Sequence, residues 1–131
     1  MFKEFNAHPK GIKTDDCVVR AIATAMNKDY MECRRELNRK KRDLCYSSYK
    51  DTKFLYEYFK YYPRLIFKPV KRELRIKGSD FTELHPEGTY ILKMAGHIVT
   101  CIDGVILDTW DCSYRSVYTA WCIMSEKTIL M

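Results

Sequence analysis

The sequence predicts an α+β fold in which N-terminal helices pack on a C-terminal antiparallel sheet. In the first half of the chain, apolar residues recur at helical spacing, beginning at Val18. The second half carries short apolar runs separated by Ala95-Gly96 and Asp103-Gly104. A two-residue Asp-Gly link between apolar runs is the strongest short signal of a β-hairpin. The order of these signals therefore places helices first and a meander of strands after them.

Length and composition predict a single domain over residues 1–131. The chain has 131 residues and is 47% hydrophobic, which suffices for one core but not for two. Aromatic residues make up 14% of it and only five residues are glycine. This composition excludes intrinsic disorder and fibrous folds.

The N-terminus and the cysteines indicate the cellular compartment in which the protein is expected. The first ten residues lack the apolar stretch of a signal peptide, and no uncharged run of 18 residues occurs. We therefore expect a soluble, cytoplasmic protein with no membrane partner, in which the six cysteines are free thiols. No cysteine pair has C-x-x-C spacing and the three histidines are far apart, so the sequence predicts no metal site and no cofactor.

Three helices are expected in the first half. The first should begin at about Asp16, where hydrogen-bond-accepting side chains precede the apolar run. Only Arg20 and Thr24 interrupt its apolar surface, which predicts a buried helix. The second should run from a cap at Asp29 to about residue 42, and the third should cover residues 51–61.

Strand signals dominate the rest of the chain. Apolar runs predict strands at Thr89–Met94, His97–Ile102 and Val105–Asp108, joined as an antiparallel meander. Residues 114–124 predict a last strand. Residues 64–80 carry no clear pattern and are expected to connect the helices to the sheet.

The net charge of +6 is unevenly distributed. Residues 1–80 carry 20 Lys and Arg against 11 Asp and Glu, whereas residues 81–131 carry 3 against 6. The densest basic run covers residues 34–42 on the second helix. Such a run can bind nucleic acid or an acidic partner, but a solvated helix face is the preferred interpretation, because no base-stacking or groove-reading motif accompanies it.

Cys17 is the strongest nucleophile candidate. A cysteine in the first turn of a helix lies where backbone N–H groups and the helix dipole favour the thiolate. The neighbouring Asp16 opposes this effect unless its carboxylate caps the helix. The alternative interpretation is a small apolar core residue, which suits the other five cysteines better.

His97 and Asp108 complete a candidate triad. His97 opens the middle strand of the meander, where it can face a helix end and serve as the base for Cys17. Asp108 closes the next strand, and across a short hairpin it should lie near His97 and hold the imidazole tautomer. His8 and His85 are each followed by proline in loops and are less well fixed.

These residues resemble papain-like cysteine peptidases, and among them the small bacterial and phage C39-like group. The resemblance rests on Asp16-Cys17-Val18-Val19-Arg20-Ala21, on Gly96-His97-Ile98-Val99-Thr100 and on Leu107-Asp108-Thr109-Trp110, together about a fifth of the chain. The last segment is similar to the Asn-Ser-Trp of papain-type enzymes, with aspartate in place of asparagine. The resemblance implies a papain-like fold and a shielding role for Trp110 over the His97–Asp108 contact.

One departure concerns the oxyanion site. The family commonly has a glutamine about six residues before the nucleophile, and Gly11 stands there in this sequence. Asn6, Lys13 and Thr14 are the candidate replacement donors, with Asn6 the best chemical match. Loss of one such donor typically costs about 10²- to 10³-fold in rate, so an inactive family member remains an alternative.

The predicted function is hydrolysis of a peptide or isopeptide bond in a peptide or protein substrate through Cys17, His97 and Asp108. Amidase and transglutaminase chemistry use the same groups, and the residues do not separate them. The alternative from another class is a binding module, either a catalytically silent member of the fold or a basic protein that docks on nucleic acid or an acidic partner through residues 34–42. Asparagine can accept the same hydrogen bond as Asp108, so Asp108→Asn is expected to keep much of the activity unless its NH₂ turns toward the ring.

Overall fold

The predicted α+β class is confirmed. The computed structural model describes residues 1–67, 71 and 74–124, and within these residues it contains four helices and one six-stranded sheet. The helices are α1 (Cys17–Ala25), α2 (Tyr30–Asp43), α3 (Thr52–Tyr58) and α4 (Gly78–Leu84). The strands are β1 (Phe2–Glu4), β2 (Arg64–Ile66), β3 (Thr89–Met94), β4 (His97–Ile102), β5 (Val105–Asp108) and β6 (Thr119–Met124).

The sheet has the strand order β1-β5-β4-β3-β6-β2. The predicted meander of β3, β4 and β5 is confirmed with the expected bounds, and both of its turns contain a glycine with positive φ, Gly96 at 60° and Gly104 at 75°. β6 adds to the other side of β3, and β2 pairs with β6, both antiparallel. β1 lies parallel to β5 at one edge.

Helix starts follow the expected capping chemistry in two of three cases. Asp29 accepts the backbone N–H of Glu32, and Asp51 accepts that of Lys53, so α2 and α3 begin as predicted. At α1 the carboxylate of Asp16 makes no capping hydrogen bond, and the expectation of a cap there is wrong. α3 also ends at Tyr58, three residues before the predicted end.

The region expected to be a plain connection contains regular structure. β2 occupies Arg64–Ile66, with all three residues exposed, and α4 occupies Gly78–Leu84. Both elements are too short to show a hydrophobic period in the sequence. Residues 68–70 and 72–73 lie outside the described residues. The last strand is shorter than predicted and begins at Thr119.

Two apolar clusters cover the two faces of the sheet. Neighbouring residues of β3 alternate between them, with Ile91 in the cluster of α1 and Leu92 in the cluster of Phe81 on α4. α1 is almost wholly buried, as predicted, and Thr100 of β4 donates a hydrogen bond over 2.6 Å to the carbonyl of Ala21. This contact fixes α1 across the sheet, with its N-terminus directed toward the start of β4. No helix in the described part of the chain is long and apolar enough to cross a membrane.

Candidate active site

Cys17 is the first residue of α1. Its side chain is 8% exposed and lines a cleft of about 230 Å³. The first backbone N–H groups of a helix have no partner within the helix, and they point toward whatever lies at its N-terminus. The thiol therefore lies where a developing negative charge is stabilised.

His97 and Asp108 form the contact that the strand order predicts. The register pairs Thr100 with Leu107, so Asp108 lies one step further along, diagonal to His97 on the same face of the sheet. His97 Nε2 lies 2.6 Å from Asp108 Oδ2, and both side chains are buried. This contact occupies Nε2, which leaves Nδ1 as the ring nitrogen for proton exchange.

The pKa values of Cys17 and His97 are displaced toward a charged pair. Burial alone would raise the pKa of Cys17, but hydrogen bonding to His97 and to the backbone of Ile98 outweighs it, and the net change lowers that pKa. Burial likewise opposes the charged form of His97, yet its hydrogen bonds, first of all to Asp108, raise its pKa well above the usual range. The geometry favours a thiolate beside an imidazolium.

A buried network of ion pairs holds the Asp108 carboxylate through the oxygen that does not contact His97. Arg20 of α1 donates from Nη1 to Asp108 Oδ1 over 2.7 Å and from Nε to Asp16 Oδ1 over 2.6 Å. Tyr30 donates its hydroxyl hydrogen to the other oxygen of Asp16 over 2.5 Å. The negative charge next to Cys17 is thus neutralised by Arg20 rather than by a helix cap. Burial raises the pKa of Asp108, but its bonds with His97 and Arg20 prevail and lower it.

Trp110 lies against the imidazole of His97. The ring centroids of His97 and Trp110 are 4.9 Å apart, with the planes inclined by 40°. Trp110 is 38% exposed, so it covers the histidine on the solvent side. The guanidinium carbon of Arg115 lies over the Trp110 ring, 5.7 Å from the ring centroid.

Cys112 is a second thiol at the triad. Its Sγ donates to Asp108 Oδ2 over 3.5 Å, and the potential ligand atoms of His97, Asp108 and Cys112 all lie within 4.8 Å of one another. These three types of side chain can bind a metal ion. Here, however, Asp108 already accepts from His97 and from the Arg20 guanidinium, whose positive charge opposes a cation. The donor set fits a hydrogen-bonded triad better than a metal centre.

The oxyanion candidates do not line the cleft. Asn6 donates its amide to the carbonyl of Ile12 and accepts from the backbone of His8, so it stabilises its own loop. Lys13 lies 3.8 Å from Glu4, with both side chains largely exposed. Thr14 is exposed. The groups that do line the cleft include Asp15, Cys17, Lys50, Leu55, Lys93 and His97.

The remaining cysteines have chemistry unlike that of Cys17. Burial raises the pKa of Cys33 and of Cys101 to about 11. Burial also raises the pKa of Cys112 and Cys122. Cys45 is exposed on the loop after α2. Of the thiols with a displaced pKa, Cys17 alone is shifted toward the thiolate.

Sequence reasoning missed Arg20, Cys112 and Lys93. Arg20 left a signal, because a charged residue on an otherwise apolar helix requires buried partners. The only indication of Cys112 in the sequence is that it follows Asp108 closely along the chain. Lys93 follows three apolar residues in a strand that the sequence predicts to be buried, so its ammonium also needed an explanation.

The basic run of α2 lies on the outer face of the helix, as predicted. Cys33 and Leu37 point inward, while Arg35, Arg39 and Arg42 are exposed. Among the described residues these arginines form no ion pair with a carboxylate. The basic face and the Cys17 cleft are lined by different residues.

Comparisons of the chain with protein-family models, with curated proteins and with solved structures gave no match. The functional interpretation therefore depends on the geometry of the site itself.

Proposed function

We propose that the protein is a cysteine hydrolase of the papain-like type, acting on a peptide or isopeptide bond. The observation that carries the proposal is the 2.6 Å contact between His97 Nε2 and Asp108 Oδ2, with the Cys17 thiol at a helix N-terminus beside the same ring. The chain order of nucleophile, base and acid and the cover by Trp110 support the papain-like assignment. Six free cysteines fit a reducing compartment such as the cytoplasm.

The first half of the reaction would acylate Cys17. The thiolate adds to the carbonyl carbon of the substrate, and the carbonyl electron pair moves to oxygen to give a tetrahedral oxyanion. When this intermediate collapses, the carbon–nitrogen bond breaks and the His97 imidazolium gives the Nδ1 proton to the departing amine. The products of this half are a thioester on Cys17 and a free amine.

The second half would release the acyl group with water. Neutral His97 removes a proton from water through Nδ1, and the resulting hydroxide adds to the thioester carbonyl. The carbon–sulfur bond then breaks, which releases a carboxylic acid and restores the thiolate–imidazolium pair. Asp108 keeps the ring oriented through Nε2 in both halves and stabilises its positive charge.

Oxyanion stabilisation would come from the N-terminus of α1. The backbone N–H of Cys17 lies in the first turn, where helical N–H groups lack helical acceptors. Asn6, the best side-chain candidate from the sequence, is held by Ile12 and His8. A single backbone donor fits a slow enzyme, since one missing donor costs about 10²- to 10³-fold in rate.

The test is turnover of a peptide and isopeptide library, followed by mass spectrometry, with the wild type, Cys17→Ala and Cys45→Ala. We expect cleavage by the wild type and by Cys45→Ala, whose thiol is exposed and far from the triad in sequence, and none by Cys17→Ala. Equal cleavage by Cys17→Ala would reject the nucleophile. Binding of library members by the wild type without cleavage would instead support the alternative, a catalytically silent binding module.

A further inference from the structure

Lys93 places a buried positive charge in the cleft of Cys17. The residue lies on β3 opposite Ile98 of β4, and its side chain is on the sheet face that packs against α1. It is 8% exposed and lines the same cleft as Cys17 and His97. A lysine is almost never buried to this degree without a partner.

The ammonium of Lys93 is only partly satisfied. Its Nζ donates to the backbone carbonyl of Met94 over 2.6 Å. An ammonium has three donors, and within the described residues Lys93 makes no ion pair with a carboxylate. Burial lowers the pKa of Lys93, and the negative charge of Cys17 acts in the opposite direction.

The other cations of the site are already neutralised. Lys50 at the cleft rim pairs with Asp15 over 2.5 Å. Arg20 contacts Asp16 and Asp108, and His97 contacts Asp108. Lys93 therefore stands out among the described cations around the cleft, because it faces the reaction space with no carboxylate of its own.

We propose that Lys93 is a specificity-determining residue that pairs with a carboxylate of the substrate in the cleft next to Cys17. The proposal rests on the hydrolase function inferred above and adds a substrate class, peptides with an acidic group close to the scissile carbonyl. The carboxylate belongs either to an aspartate or glutamate side chain or to a chain terminus. A neutral substrate would leave the desolvated ammonium without a carboxylate partner, whereas an acidic substrate would supply one, which favours binding of the acidic substrate.

The experiment uses matched affinity labels that alkylate Cys17 irrespective of turnover. N-bromoacetyl-glycine and N-bromoacetyl-glycinamide differ only in a terminal carboxylate against a carboxamide. The bromoacetyl derivatives of aspartic acid amide and asparagine amide carry the same difference on a side chain. In each reaction the thiolate displaces bromide and forms a thioether, and the second-order rate at Cys17 is measured by peptide mapping.

We expect the carboxylate reagent of at least one pair to react about tenfold faster or more, as a charge-assisted hydrogen bond allows. The pair with the larger ratio identifies the source of the carboxylate. Lys93→Met removes the buried ammonium, so the ratio should fall to within about threefold of unity. An effect of that size is what exposed ion pairs typically give. Lys93→Arg should keep a clear preference, because the charge remains. Lys60→Met, an exposed lysine outside the cleft, should retain the full wild-type ratio.

Each outcome separates this proposal from the hydrolase proposal. Ratios near one in the wild type, with rapid alkylation of Cys17, would overturn the role of Lys93 and leave the nucleophile standing. A ratio that persists in Lys93→Met while its melting temperature falls would mean that Lys93 only holds the turn before His97. If neither reagent of a pair labels Cys17, the nucleophile itself is rejected. The wild-type ratio alone decides the matter if the variants do not fold.

Discussion

Arg20 and His97 contact opposite oxygens of the Asp108 carboxylate. The guanidinium Nη1 lies 2.7 Å from Oδ1, and the imidazole Nε2 lies 2.6 Å from Oδ2. The backbone N–H of Thr109 also donates to Oδ1 over 2.7 Å. Each oxygen thus has its own donors, and the carboxylate cannot rotate without breaking several hydrogen bonds.

Arg20→Met is expected to destabilise the protein strongly. Removing one partner of a buried ion pair leaves uncompensated charge and typically costs about 3–5 kcal/mol, and here two carboxylates lose the same partner. Arg20→Lys should fall between the wild type and Arg20→Met, because a lysine lacks the planar fork that spans Asp16 and Asp108. The free energy of unfolding in urea measures both effects.

The matched control for Arg20 is Arg35→Met on the exposed face of α2. Solvated charges usually change stability by less than about 0.5 kcal/mol, so this variant should resemble the wild type. If Arg20→Met lowered the free energy of unfolding no more than Arg35→Met does, the buried network would not stabilise the protein. The proposed role of Arg20 in holding Asp108 would then be contradicted.

Asp108→Asn is expected to lose most of the activity, contrary to the first expectation from the sequence. Thr109 N–H and Arg20 both donate to Oδ1, so the asparagine carbonyl oxygen must take that position. The NH₂ group is then directed at Nε2 of His97, which selects the wrong tautomer and costs about 10⁴-fold in a comparable serine triad. Asp108→Ala should lose a similar factor.

Turnover and melting temperature are measured together for the Asp108 variants. Asp111→Ala is the neighbouring control, since its carboxylate is exposed and bonds only to Ser113 among the described residues. It should keep its turnover. High activity in Asp108→Asn would mean that the amide oxygen faces the ring, and activity lost only in Asp111→Ala would move the third catalytic role along the chain.

The sequence predicted the parts of the fold that depend on local pattern. The bounds of β3, β4 and β5 follow from apolar runs between glycine turns, and α1 follows from its apolar period. β1 and β2 have three residues each, and their pairing with β5 and β6 depends on contacts distant in sequence. A segment of three residues is too short to show the alternation of apolar and polar residues that indicates a strand. The sequence therefore gives no sign of this long-range pairing.

The candidate site was predictable to a similar extent. The order Cys17, His97, Asp108 could be proposed from a helix start and two strand ends, and the geometry brings these residues together. The contact of Asp16 with Arg20 joins residues four apart at the start of α1 and is local, but its contact with Tyr30 could not be predicted, because it requires the position of α2 relative to α1. Lys93 required the cleft itself, which is lined by residues of α1, α3, β3 and β4 that are distant in sequence.

The basic face of α2 is expected to contribute little to stability. Replacing Arg39, Lys40, Lys41 and Arg42 by Gln should change the free energy of unfolding by less than about 0.5 kcal/mol for each residue. Association with DNA or RNA should be weak and should fade by about 200 mM salt, as electrostatic contacts do. Titration of labelled DNA and RNA at two salt concentrations checks this. Tight binding that survives 200 mM salt (about the level at which such contacts fade) and disappears in the Gln variant would contradict it.

The pH dependence of Cys17 follows from the direction of its pKa shift. A lowered pKa means that the thiolate is present at pH values where an ordinary thiol is still protonated. His97→Ala removes both the hydrogen bond and the positive charge that lower this pKa, so the rise in reactivity should move to higher pH.

The most direct measurement is alkylation with limiting iodoacetamide from pH 5 to 8, followed by peptide mapping of all six cysteines. We expect Cys17 to be labelled first and below pH 7, before the exposed Cys45, while Cys33 and Cys101 stay unreacted because burial raises their pKa to about 11. Faster labelling of Cys45 or Cys112, or a Cys17 rate that His97→Ala leaves unchanged, would contradict the assignment of Cys17 as the nucleophile.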